Sequence, residues 1–412
     1  MRFLPILLGL LSGGMNLHAQ QAQVSIHISK KGCSHPVVLK LPSLRSLKIR
    51  PKSAIVQTAD GTRRAVACQL DDFDADGYGD ELVFFSVPGV QYYTVTLSES
   101  RSDAASLIRP GAFAFMGIND KKGKYPQISH IEARGDSYLF SDIFPHGAAW
   151  ESDQTAYRLY FDHRQNIDLY GKRQRRLELS DTRFYTTDQQ LREGYGYDVL
   201  WAGSSIACGS LKLWTSNGME NWTQVGVRGM RIIASGPLRT VVELRDQDTR
   251  WSDNYENTVT ARYTQYAHSR DVRVDIRADR PLAAGRLCTG VQRIAGSSLR
   301  VLENDGLTAS WGADYPEQSN EKAKARFGLT SVGMAVYVPR QFISEIHEDS
   351  LNCLFILGKG KEMHYYFTFC SGIETWNGLN SFEPWLKYAR EWAERCEGET
   401  EECVVNKIRY CK

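Results

Sequence analysis

The run Val259-Thr260-Ala261-Arg262-Tyr263-Thr264-Gln265-Tyr266-Ala267-His268-Ser269-Arg270-Asp271-Val272-Arg273-Val274-Asp275-Ile276-Arg277-Ala278 decides the fold class. Val259, Ala261 and Tyr263 alternate with Thr and Arg; Val272, Val274 and Ile276 alternate with Arg and Asp. A period of two sends successive side chains to opposite faces, so each segment reads as a strand with one face on a core and the other in water. Shorter runs of the same kind recur at residues 81–87, 92–97, 240–244, 333–338, 353–357 and 363–369, separated by Gly, Asn, Asp or Pro clusters. Many short strands with turn signals between them predict an all-β protein, a mainly antiparallel β-sandwich or super-sandwich. One helix stands out near the C-terminus. Trp385, Tyr388, Ala389 and Trp392 fall at i, i+3, i+4 and i+7, charged residues take the other face, and Ser381 with Pro384 marks the start. The aromatic stripe is expected to pack on the sandwich.

The chain has 412 residues, and 50 Lys and Arg against 48 Asp and Glu leave a formal charge of +2. Such a balance argues against a nucleic-acid partner, which calls for a basic excess or stripe. Hydrophobic residues at 42% and charged residues at 24% place it among globular chains. Residues 1–19 read as a signal peptide: Arg2, an apolar run from Phe3 to Leu11, then a polar exit. That run is shorter than the about 20 apolar residues a membrane span needs, and no later stretch is long enough. An exported protein, periplasmic or secreted, is expected. The remainder divides into an N-terminal β-rich unit at 20–110, a large β-sandwich domain at 111–380, and a helix with a Cys-containing tail at 381–412. None of the nine cysteines forms a C-x-x-C pair. Cys396, Cys403 and Cys411, seven and eight residues apart, offer one disulfide to staple the tail. Cys208, Cys353 and Cys370 sit among apolar neighbours and read as core residues.

The densest local signal is Asp71-Asp72-Phe73-Asp74-Ala75-Asp76-Gly77-Tyr78-Gly79-Asp80-Glu81. With Asp72 as position one, carboxylates fall at one, three, five and nine and a glycine at six, the hard-oxygen pattern of a calcium loop. Position twelve is Val83 rather than the closing Glu of an EF-hand, and the flanks read as strand. A structural Ca2+ held by Asp72, Asp74, Asp76, Asp80 and Glu81 is one reading; an acidic hairpin turn is the other.

Aromatic, acidic and basic groups gather from His146 to Tyr160, and continue through Asp168, Tyr170, Lys172, Tyr185, Tyr197 and Asp198 to Arg239. Sugars are held by aromatic faces and by polar groups on their hydroxyls, and this region supplies both. The acidic run Gln69 to Leu82, W-E-x-D-x-x-A-Y-R-x-Y at 150–160, I-D-x-x-x-K at 167–172 and G-P-x-R at 236–239 together resemble an exported family of unknown function. That family occurs in polysaccharide-utilisation gene clusters of glycan-degrading Gram-negative bacteria, often beside pectin-active enzymes. The resemblance covers most of the chain after residue 19 and implies a glycan-related role. The chain departs from the pattern at Tyr170, where the family tends to carry Trp, and at Phe184-Tyr185-Thr186-Thr187, where a Tyr-His pair is expected.

A lyase acting on a uronate needs a cation to neutralise the carboxylate and a base within reach of the C5 proton. Arg158, Lys172 and Arg239 supply cations, and His146, Tyr185 or Tyr197 a base. A glycoside hydrolase needs two facing carboxylates, for which Glu151 and Asp153 share a strand face, while Glu193 and Asp198 could pair with them only through the fold. A mutarotase-like sugar-processing enzyme is a further alternative by fold analogy alone. A non-catalytic glycan-binding protein would use the same aromatics. Trp150 and Tyr160 also read as core aromatics, and Glu151 with Arg158 as a structural ion pair. The density of charged groups beside aromatics favours an enzyme, and the three cations favour a lyase acting on an acidic, pectin-like polysaccharide or oligosaccharide. Trp150 is assigned to stacking, Arg158, Lys172, Tyr197 and Arg239 to substrate, His146 or Tyr185 to the base, and Glu151 with Asp153 to acid–base work if the reaction is hydrolytic. His268, His347 and His364 lack zinc spacing.

Overall fold

The computed structural model describes residues 20–29, 32, 34–102, 109–294, 299–397 and 404–411. The leader at 1–19, Cys33 and Cys403 lie outside them, and so does the tail disulfide expectation that rests on Cys403. Among the described residues no helix is long and apolar enough to cross a membrane.

The fold is antiparallel β, as the alternating segments predict. Glu256–Tyr266 and Val272–Leu282, which contain the two decisive runs, are neighbours in a nine-stranded sheet. Their register pairs Ala261 with Ile276 and Tyr263 with Val274, so the apolar faces coincide. A one-residue slip would turn every one of them to the other face, which is why the pattern holds the register. Two five-stranded sheets pack on that inner face. One runs Tyr197–Asp198, Ile167–Gly171, Ala156–Tyr160, Ile143–Ser152, Ala112–Ile118; the other contains Lys212–Thr215, Leu287–Gln292 and Asn352–Leu357. A single core joins all three, with Trp150, Tyr157 and Leu169 meeting Tyr263, Val274 and Phe367, and Val291 with Phe355 from the third sheet. Cys208, Cys288, Cys353 and Cys370 are buried.

The helix Phe382–Glu397 lies on the opposite face of the nine-stranded sheet, its Trp385, Ala389 and Trp392 buried with Leu307, Ala309, Trp311 and Tyr366. Trp385 Nε1 donates to the Met334 carbonyl at 3.3 Å. Burial of this stripe holds the helix in place, because the helix end itself carries little of its stability. Three further short helices, Leu179–Thr182, Asp188–Arg192 and Glu321–Phe327, have too few turns to show a period in sequence.

The N-terminal strands form a second core of Val24, Ile26, Leu39, Val56, Leu82, Phe84 and Val95 between a five-stranded and a three-stranded sheet. The terminal strand Val404–Cys411 pairs with Gln21–His27, so the tail returns across the molecule to close this sheet. Gln69 bridges the two cores: its Oε1 accepts from the Leu238 and Arg239 amides at 2.8 and 3.1 Å.

Candidate functional site

A cleft of about 350 Å³ opens at the edge of the sheet carrying Ile143–Ser152, Ala156–Tyr160 and Ile167–Gly171. Its floor is Arg158, buried at 4% exposure. The guanidinium donates Nε to Asp168 Oδ2 at 3.0 Å, Nη1 to the Tyr185 hydroxyl at 2.8 Å and Nη2 to the Tyr160 hydroxyl at 2.8 Å; Nη2 also contacts Asp168. Asp198 lies 3.6 Å from Nη2. Opposed strands place the pair: Arg158 faces Asp168 in the ladder between their strands, and Asp198 faces Tyr170 one strand on. Burial opposes the charge on Arg158, and Asp168, Tyr160, Tyr185 and Asp198 outweigh it and push its pKa up. Burial, then the neighbouring Asp168 charge, raise the Asp198 carboxyl well above the usual range.

His146 stands on the wall. The ladder between Ile143–Ser152 and Ala112–Ile118 shifts register between Phe144 and Ala149, and His146 takes a φ of +64° there. Such a bulge re-aims a side chain at the cost of a left-handed residue. The following Gly147 has to be glycine, because a Cβ would collide with the Leu159 carbonyl. The imidazole stacks on Phe140 at 3.7 Å and meets the Tyr185 ring edge-on at 6.0 Å. Its Nδ1 bonds the Phe140 carbonyl at 2.6 Å. A carbonyl only accepts, so Nδ1 carries the proton and the Nε2 lone pair is left for the cleft. Burial lowers the pKa of His146 from 6.5, and Arg158 and Arg164 push the same way. Tyr185 moves oppositely: burial raises its pKa from 10.0, so the phenol keeps its proton. The cleft therefore presents an acceptor and a donor side by side at neutral pH.

The opening is aromatic and charged. Tyr185 and Trp201 are 45% and 41% exposed, and Tyr197, Phe327, Glu317, Arg164 and Arg326 complete the lining. Tyr197 stacks on Phe327 at 4.7 Å with its hydroxyl 3.1 Å from Thr330.

Of the residues singled out in sequence, His146, Arg158, Tyr185 and Tyr197 meet in the cleft. Tyr160, read also as a core aromatic, lines the same cleft, and the remaining residues with assigned roles lie elsewhere, for physical reasons. Trp150 is fully buried against Tyr157 and Tyr263, with no face for a sugar. Glu151 and Lys172 pair inside the protein, both at 0% side-chain exposure. Lys172 Nζ also donates to the Ser152 and Arg176 carbonyls at 2.6 and 2.8 Å, and Glu151 accepts from the Glu178 and Leu179 amides at 2.8 Å each. This pair pins the segment that carries Phe184 and Tyr185 to the sheet beneath. Asp153 does not share a face with Glu151, because the strand ends at Ser152; it turns to Arg175 at 3.0 Å and His268 at 3.3 Å. Arg239 is held by Asp71 at 2.7 Å and Glu81 at 2.8 Å, between the two cores. Glu81 thereby faces away from the acidic loop, and Asp76 is drawn to Arg50. Asp72, Asp74 and Asp80 bring carboxylate oxygens within 4.8 Å of one another and are the residues that would hold a cation.

Asp168, a position without an assigned role, and Asp198, a carboxylate of the hydrolase alternative, are at the heart of the cleft. Trp201, Glu317, Arg164 and Arg326 carried no signal in sequence; Trp201 follows the apolar Val199-Leu200 in a loop, and the other three sit in polar loops or a short helix, where one charged residue looks like any other.

A comparison with curated proteins returns no match. Two solved structures from Enterococcus faecalis, an alpha-mannosidase from strain V583 and a protein in the glycosyl hydrolase family 38, are similar at TM-scores of 0.38 with 7% and 6% identity. Each alignment covers 95% of this chain but only 46% and 47% of the other, so the chain spans less than half their length. The domain of unknown function DUF4861 matches residues 29–400, and the chain belongs to that family.

Proposed function

We propose that this is an exported carbohydrate-active enzyme that cleaves a uronate-containing oligosaccharide by β-elimination in the cleft around Arg158. The observation that carries the reading is the pairing of His146, its Nε2 lone pair open, with the still-protonated Tyr185 beside it in one cleft. In the reaction His146 Nε2 takes the C5 proton and the electron pair forms the C4=C5 double bond. The C4–O bond breaks, and the leaving oxygen takes the Tyr185 proton. His146 ends as imidazolium and Tyr185 as phenolate; exchange with water restores both. Because Arg158 donates to the Tyr185 oxygen, it leaves the phenolic proton free and stabilises the phenolate as it forms. Exposed Trp201 and Tyr185 provide faces for sugar rings. The leader-like residues 1–19 support export.

A second reading rests on one observation, the unequal carboxyls beside Arg158. Asp168 is bonded by the guanidinium, whereas Asp198 has its pKa raised, the division of base and acid that a hydrolase uses. Incubation with a panel of uronate-containing and neutral oligosaccharides separates the two. Elimination yields ultraviolet absorbance of the unsaturated uronate together with new ends, hydrolysis yields reducing ends alone, and binding with neither identifies a glycan-binding protein.

A further inference from the structure

Three guanidiniums line the cleft, and they differ in what remains of their donors. Arg158 has spent Nε, Nη2 and one side of Nη1 on protein groups. Arg164 is different. Its Nε and Nη2 grip Asp162 at 2.9 and 2.5 Å, and its Nη1 takes no protein partner among the described residues. Arg326 repeats the arrangement, with Nε on Asp188 at 2.8 Å, Nη2 on the Thr186 carbonyl at 2.7 Å and Nη1 likewise without a partner. Both are partly open to solvent, at 42% and 39% side-chain exposure.

Each also sits over a ring. Arg164 lies 5.1 Å over Tyr160 and 5.9 Å over Phe140, the ring on which His146 stacks. Arg326 lies 4.9 Å over Phe327, which stacks on Tyr197, and its carbonyl partner Thr186 follows Tyr185 in the chain. The two share neither a ring nor a partner. Arg164 neighbours the rings that flank His146, and Arg326 holds the backbone that follows Tyr185. A guanidinium locked by a carboxylate or carbonyl on two nitrogens has lost most of its rotational freedom already. Its free edge therefore binds an anion at little entropic cost.

We propose that Arg164 and Arg326 are two separate carboxylate readers, and that the cleft takes an oligosaccharide bearing carboxylates on both sides of the bond that breaks. Arg164 takes the carboxylate of the sugar that loses its proton to His146, and Arg326 takes that of the sugar on the leaving oxygen. The inference rests on the cleft being the carbohydrate site proposed above. It implies an oligouronate with adjacent acidic units rather than a chain in which acidic and neutral sugars alternate.

The test uses the full chain and tetrameric oligouronates of galacturonate and of mannuronate, each beside its carboxyl-reduced form. Titration calorimetry and turnover are followed for wild type, Arg164→Gln, Arg326→Gln and the charge-retaining Arg164→Lys and Arg326→Lys. Each Gln variant should weaken binding and raise KM by about ten- to hundredfold, the worth of one charge-assisted hydrogen bond, with kcat falling far less. The Lys variants should recover part of the loss, and the Gln variants should bind the carboxyl-reduced tetramer as wild type does. Unchanged melting temperatures verify folding. Turnover with unchanged KM in both Gln variants overturns the inference and leaves the β-elimination reading standing. Arginine-dependent binding without turnover does the reverse. Neither binding nor turnover of any tetramer overturns both.

Discussion

Arg158 and Arg239 each sit between two carboxylates, yet only one of them opens on a cleft. Each is a buried arginine within a short motif, each holds two carboxylates, and each has one carboxyl whose pKa burial pushes up, Asp198 in one case and Asp71 in the other. The difference lies in the remaining contacts and in what borders them. Around Arg239 it is closed: Gln69 Nε2 bonds Asp71 at 2.7 Å and the Arg239 carbonyl at 3.1 Å, while its Oε1 holds two backbone amides. Around Arg158 two phenols take the place of such clamps, and they border a cleft with His146 on its wall. A shifted pKa therefore does not separate a catalytic cluster from a fastener. Access does.

The comparison breaks most directly at His146. His146→Ala should lower kcat by about 10²–10⁴, the range of general acid–base catalysis, with an unchanged melting temperature. A drop in melting temperature with activity retained would make the imidazole a packing element instead. At Arg239 the effect should be on the fold alone. Arg239→Ala leaves Asp71 and Glu81 uncompensated and should cost about 3–5 kcal/mol in denaturant unfolding. Stability within 1 kcal/mol of wild type would mean that Gln69 joins the two cores without it. Asp198→Asn then sharpens the contrast between elimination and hydrolysis. An amide still donates a hydrogen bond but gives up no proton, so an eliminating enzyme should lose less than about tenfold and a hydrolase far more.

The pH profile tests the same wall. If His146 is the base, it acts as its neutral form; its pKa is lowered from 6.5, so kcat/KM should fall on the acid side only below the ordinary histidine value. If Tyr185 is the acid, it acts as its protonated form; its pKa is raised from 10.0, so the alkaline limb should begin above that value. An acid limb above pH 6.5 would sink His146 as the base. The smallest effect belongs to the acidic loop. If Asp72, Asp74 and Asp80 bind calcium, chelator should lower the melting temperature by a few degrees, and Asp74→Ala should remove that sensitivity. An equal melting temperature with and without chelator would leave a plain acidic turn.

Much of the fold was legible because its strands face water on one side. Val272, Val274 and Ile276 alternate with charged residues, and the helix shows its stripe, since in both places solvent imposes a period. The site strands lack that contrast. In Ile167–Gly171 every residue is buried and in Ala156–Tyr160 all but the last, so neither face is marked and Trp150, Glu151 and Lys172 looked as available as Arg158. A strand buried on both sides hides its orientation.

The chain's own sequence determined that it would be an antiparallel β protein with one packed C-terminal helix, and that aromatic and charged groups would crowd between His146 and Asp198. Periodicity and local composition suffice for that, because both are properties of neighbouring residues. Only the tertiary structure decided which of those groups share a cleft. Arg158, Asp168 and Asp198 meet through strand pairing, His146 through a bulge, and Arg326 arrives from a helix more than a hundred residues away. Contacts of that range depend on how three sheets pack, and local pattern carries no record of it.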